Sequence, residues 1–202
     1  MPTVSYAITA CNEHEELERL LLLLDLHIQE EDEIVVQLDT SATDEVRKVL
    51  ENFAIKVIEF PLNNDFASFK NNLSQHCDRD YIFQIDADEF PQVELLLNLP
   101  SILETNFDTD VFLVPRINTV EDLTPEHIQK WGWKVENGRV NFPDYQWRIW
   151  KNNGKITWKN KVHEVLQGYN SLTDFPPIDE LCLVHPKTIT RQEKQNEYYN
   201  TI

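Results

Sequence analysis

Residues 81–89 read Tyr-Ile-Phe-Gln-Ile-Asp-Ala-Asp-Glu. A β-prone run, Tyr81 to Ile85, leads straight into three acids, Asp86, Asp88 and Glu89. In open α/β sheets, ligands bind beyond the carboxyl ends of the strands. Side chains alternate along an extended chain, so Asp86 and Asp88 fall on one side. Two carboxylates there suit a hard divalent cation such as Mg²⁺ or Mn²⁺. The same letters also fit a solvated acidic turn before a helix, whose N-terminus Glu89 and Glu94 would favour.

Working outward, strands and helices alternate. Val4 to Thr9, Glu33 to Leu38 and Ile55 to Phe60 are strand-like. Glu13 to Gln29, Thr43 to Phe53 and Phe66 to His76 are helix candidates; Val46, Val49, Leu50 and Phe53 keep helical spacing in the second. Downstream, Val93 to Leu103 is helical and Val111 to Pro115 is a fifth strand. This order predicts an α/β fold with a mainly parallel central sheet flanked by helices. Past residue 116 the pattern changes. Asn118 to Asp144 is polar with no strong strand signal, Gln146 to Leu166 mixes short strand-like runs with bases and aromatics, and Thr190 to Tyr199 reads as a last short helix. Residues 1–202 are read as one domain with a seam between 1–115 and 116–202.

The chain has 202 residues, with 18 Lys plus Arg against 35 Asp plus Glu, a net charge of -17. Residues 1–110 hold 24 acids and 6 bases, whereas residues 111–202 hold 11 and 12. Such acidity excludes a duplex nucleic acid partner, which needs a basic footprint. All four glycines lie at Gly132 or later, so the first half holds neither a Walker loop nor a GxGxxG turn. Cys11, Cys77 and Cys182 form no CxxC pair, and reduced thiols in the cytoplasm are expected. The longest apolar run, Leu20 to Leu24, is far short of the ~20 residues of a membrane span. Met1 leads into a strand without a basic segment, so no signal peptide is expected.

Four further stretches stand at element ends: Thr9-Ala10-Cys11-Asn12-Glu13, QLDTSATDEV (37–46), DFASFKNN (65–72) and QIDADE (84–89). Together they resemble the TxxNE, VDxGSxDxT, DFxxxRN and DxD segments of the family-two inverting glycosyltransferases, which have the GT-A fold. FPDYQWRIWKN and NKVHEVL resemble the "RLF" and "HE" segments of the bacterial lipopolysaccharide-core sugar transferase subgroup. The chain departs from the pattern at Ala42 and Glu45, where glycine is frequent, at Lys70, where arginine is usual, and at Cys11, where an aromatic is common.

The resemblance implies transfer of a hexose or hexosamine from a nucleotide-diphosphate sugar, UDP-linked, to a hydroxyl acceptor. The acceptor would be a carbohydrate, a lipid-linked sugar or a protein, and Mn²⁺ or Mg²⁺ would be the cofactor. Residues 1–115 would bind the nucleotide sugar and 116–202 the acceptor. Thr9, Cys11 and Glu13 would line the base and ribose pocket, Asp39 would accept from uracil or ribose, and Lys70 would lie near the base or diphosphate. Asp86 would approach the ribose or hold the metal through water, Asp88 would ligate it directly, and His185 would complete its shell. Asp39 with Ser41 also fits a cap for the following helix, and Lys70 an ordinary helix-surface lysine.

Inverting transfer needs a carboxylate to take the acceptor's proton. The resemblance points to Glu164 of His163-Glu164, with Asp144 and Glu89 as reserves. Arg148, Lys151, Lys155, Lys159 and Lys161 form a basic run that would face the site or an anionic acceptor. Five tryptophans, at 131, 133, 147, 150 and 158, could stack on sugar rings or build a core. Trp147 and Trp150 are three apart, and alternation assigns them no clean faces. Two other functions fit the fold. One is a non-catalytic carbohydrate- or protein-binding module. The other is a sugar-1-phosphate nucleotidyltransferase, disfavoured because TACNEHEE lacks the glycine-rich turn after the first strand.

Overall fold

Leu17, Leu20, Leu21 and Leu24 recur at helical spacing, and all four are fully buried. In the computed structural model, which describes residues 1–199, they lie on α1 (His14–His27) and pack onto β1 (Val4–Ala10). The chain continues through β2 (Glu33–Asp39), α2 (Asp44–Leu50), β3 (Lys56–Phe60), α3 (Phe66–Ser74) and β4 (Tyr81–Asp86). Then come β5 (Phe90–Pro91), α4 (Val93–Thr105), β6 (Val111–Glu121), α5 (Pro125–Trp131), β7 (Val135–Glu136) and β8 (Arg139–Lys151). It ends with β9 (Thr157–Lys159), β10 (Val165–Gln167), β11 (Leu172–Asp174), β12 (Leu183–Thr188) and α6 (Ile189–Tyr199).

The main sheet has the order β3-β2-β1-β4-β8-β6-β12-β5, with β7 on β8 and β11 on β6. Strands β3, β2, β1 and β4 are parallel, as are β6, β11 and β12 among themselves. The mainly parallel α/β sheet expected from the sequence is therefore present. Its apolar strands are covered on both faces, as parallel strands require. One face packs under α1, α2 and α4, the other under α3 and the β9–β10 hairpin.

Strand β8 was not legible. It runs antiparallel between β4 and β6, and its first half lies in the polar stretch that showed no strand signal. That half is only partly buried because it borders a cleft, so it carries no apolar alternation. For the same reason β6 continues past Pro115 to Glu121 into polar sequence.

A bulge in β8 settles the two tryptophans. Ile149 pairs with Phe112 and Trp147 with Leu113, so Arg148 is the extra residue. The added residue puts Trp147 and Trp150 against the same apolar cluster. It also turns Arg148 towards the end of β4, where it bonds Asp86 and Glu89.

The β9–β10 hairpin is pinned to α3 by Asn71. Its amide donates to the Trp158 carbonyl at 2.9 Å and accepts the Trp158 N–H at 2.8 Å. Gly168 follows β10 at the open end of the hairpin with φ +87°, where a Cβ would lie 2.2 Å from the Lys155 carbonyl oxygen. Gly168→Ala is expected to cost on the order of 1–3 kcal/mol, read as a lower urea midpoint. An unchanged midpoint would show that the backbone there relaxes freely.

Candidate active site

Strand ends deliver polar groups to one place. Thr9, Cys11, Glu13, Asp39, Lys70, Asp86, Asp88, Asp144, Glu164 and His185 all line one cleft of about 1120 Å³. It opens at the carboxyl ends of β1, β2 and β4.

On the β1–β2 side the loops are braced. The Asp39 carboxylate accepts from the Ser41 N–H at 2.7 Å, the Ser41 hydroxyl and the Leu62 N–H at 2.7 Å. Burial alone would raise its pKa, but these donors hold it below the usual carboxylate value. Asp39 does not cap α2; Thr43 does, accepting from the Val46 N–H. Glu13 curls back and accepts the Cys11 and Asn12 N–H groups at 2.9 and 3.0 Å. Burial, with Glu13 and Asp39 nearby, pushes the Cys11 thiol up despite its Ser41 contact, so it stays neutral.

Asp86 and Asp88 share the cleft but not their partners. Asp86 accepts from the Thr9 hydroxyl at 3.1 Å and from Arg148 at 2.7 Å. Burial opposes its ionisation, yet Arg148, Lys70 and Arg116 hold its pKa well below the usual range. Asp88 faces His185, with Oδ2 3.1 Å from Nε2. Strand register positions that histidine: His185 on β12 pairs with Asn118 on β6.

The His185 tautomer follows from its neighbours. The Asn118 amide NH₂ donates to Asp144 at 2.8 Å, so the Asn118 oxygen faces His185 Nδ1 at 2.9 Å. That oxygen can only accept, so Nδ1 carries the proton. In the neutral ring Nε2 is then a lone pair facing a carboxylate, and a positive charge belongs between them. A buried carboxylate and an imidazole whose far nitrogen is held by an amide are chemically suited to a divalent cation. Among the described residues no three His, Cys, Asp or Glu side chains gather to hold a metal. Asp88 and His185 remain as a candidate pair of donors, because Asp86 is held by Arg148.

A buried ladder of charges lies beneath. Arg148 donates to Glu89 at 2.9 and 2.7 Å and Arg116 donates to Glu89 at 2.7 Å, while Arg116 also grips Asp144 at 2.7 and 3.0 Å. Glu89 is 0% exposed and does not border the cleft, so it is excluded as a reserve base. Asp144 accepts in addition from Asn118 and Gln146. Burial would raise its pKa, but these partners hold it low.

Across the cleft Lys70 is buried, not a surface lysine. Its ammonium sits 3.4 Å from Glu164 and 4.6 Å from the Trp158 ring centroid. The basic run splits: Arg148 enters the cleft, whereas Lys151 pairs with Asp110 at 3.1 Å and Lys155, Lys159 and Lys161 are exposed outside it. The cleft's other cations are Arg116, Lys187, Arg191 and Lys194. None was singled out from the sequence, although an arginine inside the apolar runs Val-Pro-Arg-Ile-Asn and Trp-Arg-Ile-Trp signals a buried partner.

The family model for glycosyl transferase family 2 matches residues 5–181. The chain belongs to glycosyl transferase family 2. No curated protein matches it significantly by sequence. Similar solved structures include S. aureus TarS 1–349, at TM-score 0.64 and 14% identity, covering 92% of this chain and 60% of that one. TarS 1–349 in complex with UDP scores 0.64 at 15% identity, with the same coverage of 92% and 60%. Its complex with UDP-GlcNAc scores 0.63 at 15%, covering 93% and 59%. The chain thus spans about 60% of TarS 1–349 and shares its fold. No helix among the described residues is long and apolar enough to cross a membrane.

Proposed function

We propose that this family 2 chain is a metal-dependent inverting glycosyltransferase that moves a sugar from a UDP-sugar to a hydroxyl acceptor. One observation carries the reading. The Asp88–His185 pair and the Lys70–Glu164 pair line a single cleft, which supports reading a cation site and a carboxylate base in one space. At about 1120 Å³ the cleft exceeds the roughly 300–1,000 Å³ typical of one small ligand, which suits two substrates. UDP and UDP-GlcNAc complexes of TarS support the donor class. The segments around Trp147 and Glu164 support kinship with lipopolysaccharide-core sugar transferases.

Asp88 and His185 would hold Mn²⁺ or Mg²⁺, with Asn118 orienting the imidazole. When bound, the cation would neutralise charge on the leaving diphosphate. Asp39 and the β1–α1 loop would receive uracil and ribose, and Thr9 with Arg148 fixes Asp86 beside them. Glu164 would accept the acceptor's hydroxyl proton, and Lys70 keeps that carboxylate in place. Trp147 and Trp133 offer aromatic faces to the sugars. Asp144, saturated by four donors, serves instead to set Arg116 and Asn118.

Calorimetric titration with UDP tests the reading. Binding should need Mn²⁺, and Asp88→Asn should weaken it by about 10–100-fold, the scale for a disturbed metal shell. UDP binding that ignores both Mn²⁺ and Asp88→Asn would refute metal dependence.

A further inference from the structure

Arg191, in the first turn of α6, plays no part in the chemistry above, yet it reaches the same oxygen. Its guanidinium lies 3.3 Å from Asp88 Oδ2, the atom that faces His185 at 3.1 Å. It also bonds Glu16 at 2.7 Å and Glu13 at 3.4 Å. One arginine therefore stands among three carboxylates drawn from β1–α1 and the end of β4. Among the described residues, Asp88 has ion pairs with His185 and Arg191. Arg191 is 31% exposed, so it can swing without disturbing the core.

We propose that Arg191 is a counter-ion that holds the place of the divalent cation and makes cation binding conditional on a nucleoside diphosphate. The inference rests on the metal and donor reading above. A cation arriving alone must displace the guanidinium from Asp88 and place two positive groups side by side. A cation arriving with a diphosphate brings phosphate oxygens onto which Arg191 can move, with bidentate geometry. The differential contacts in the two states supply the coupling, and coupling is reciprocal: UDP tightens Mn²⁺ as much as Mn²⁺ tightens UDP. Glu13 and Glu16 keep the arginine at the cleft mouth in both states, so the swing is short. Glu13, whose other oxygen braces the β1–α1 loop, joins that loop to the same arginine.

The test measures free Mn²⁺ by electron paramagnetic resonance, with and without UDP, in wild type, Arg191→Gln, Arg191→Lys and Lys194→Gln. In Arg191→Gln, Mn²⁺ alone should bind about five-fold tighter or more, and the factor by which UDP tightens Mn²⁺ should shrink by a similar amount. Arg191→Lys keeps the charge, so Mn²⁺ alone should bind near wild type, while the factor from UDP falls between wild type and Arg191→Gln because lysine lacks the bidentate fork. Lys194→Gln removes the same charge from the same cleft without an Asp88 ion pair, and should leave Mn²⁺ binding unchanged. Equal Mn²⁺ affinity in wild type and Arg191→Gln, or an equal gain in Lys194→Gln, would overturn the proposal. Wild-type protein that takes up no Mn²⁺ even with UDP would instead overturn the functional reading, and this inference with it.

Discussion

Glu164→Gln is expected to slow sugar transfer by about 10²–10⁴-fold, the usual contribution of a positioned general base. UDP affinity should hold, because Glu164 bonds Lys70 and has no bond to the Asp39, Asp86 or Asp88 group. Glutamine keeps the size of the side chain and an oxygen for the lysine, but it cannot take a proton. Loss of kcat with unchanged UDP binding is the signature of a group used only in the transition state. The measurement is initial-rate transfer, or slow donor hydrolysis until the acceptor is known, beside UDP calorimetry. Donor hydrolysis also separates an enzyme from a binding module. A fall of less than ten-fold would move the base elsewhere. Asp144 is a weak substitute, since Arg116, Asn118 and Gln146 already engage its oxygens.

Much of this site was legible because strand ends can be read. Thr9, Asp39 and Asp86 each close an apolar run, and the parallel sheet brings such ends together. His185 was picked out by the resemblance, although it lies inside β12 and not at a strand end. The fifth strand was read correctly, but not its neighbour. Strand β8 inserts between β4 and β6, and its polar residues face the cleft, so the pattern that reveals a strand was spent on the site itself. Arg116 was not singled out, and Arg148 was expected at the site only together with the whole basic run. Arg148 read as one member of a basic run because its bulge, which turns it inward, is a property of pairing with β6 and not of local sequence. Lys70 was expected near the base or diphosphate with a surface lysine as the alternative, because helical spacing does not show the hairpin lying over α3. Charge counting placed the acids in the first half correctly, but could not show that Arg116 and Arg148, from the second half, neutralise the buried ones.

That neutralisation is the basis of the largest stability effect. Glu89→Ala is expected to destabilise the fold by about 3–5 kcal/mol, the cost of breaking a buried ion pair from one side. Glu89 is 0% exposed and bonded to two arginines, whose side chains are 4% and 18% exposed. Removing it leaves Arg148 against Asp86 alone and Arg116 against Asp144 alone, with desolvated donors unanswered. The contrast is Arg47 with Glu59, at 34% and 48% exposure. Arg47→Ala should barely move the urea midpoint, because water replaces an exposed partner. Urea melts of both variants decide between these expectations, and the Glu89 loss corresponds to a drop on the order of 10 °C in Tm. Adding Arg148→Met to Glu89→Ala should cost less than the two single losses together, since each removes a partner the other needed. A Glu89→Ala protein within about 1 kcal/mol of wild type would mean that the two arginines find water or new acceptors. Arg148 would then hold Asp86 without help from Glu89, and the position of the cleft floor would rest on that bond, the Thr9 hydroxyl and the sheet.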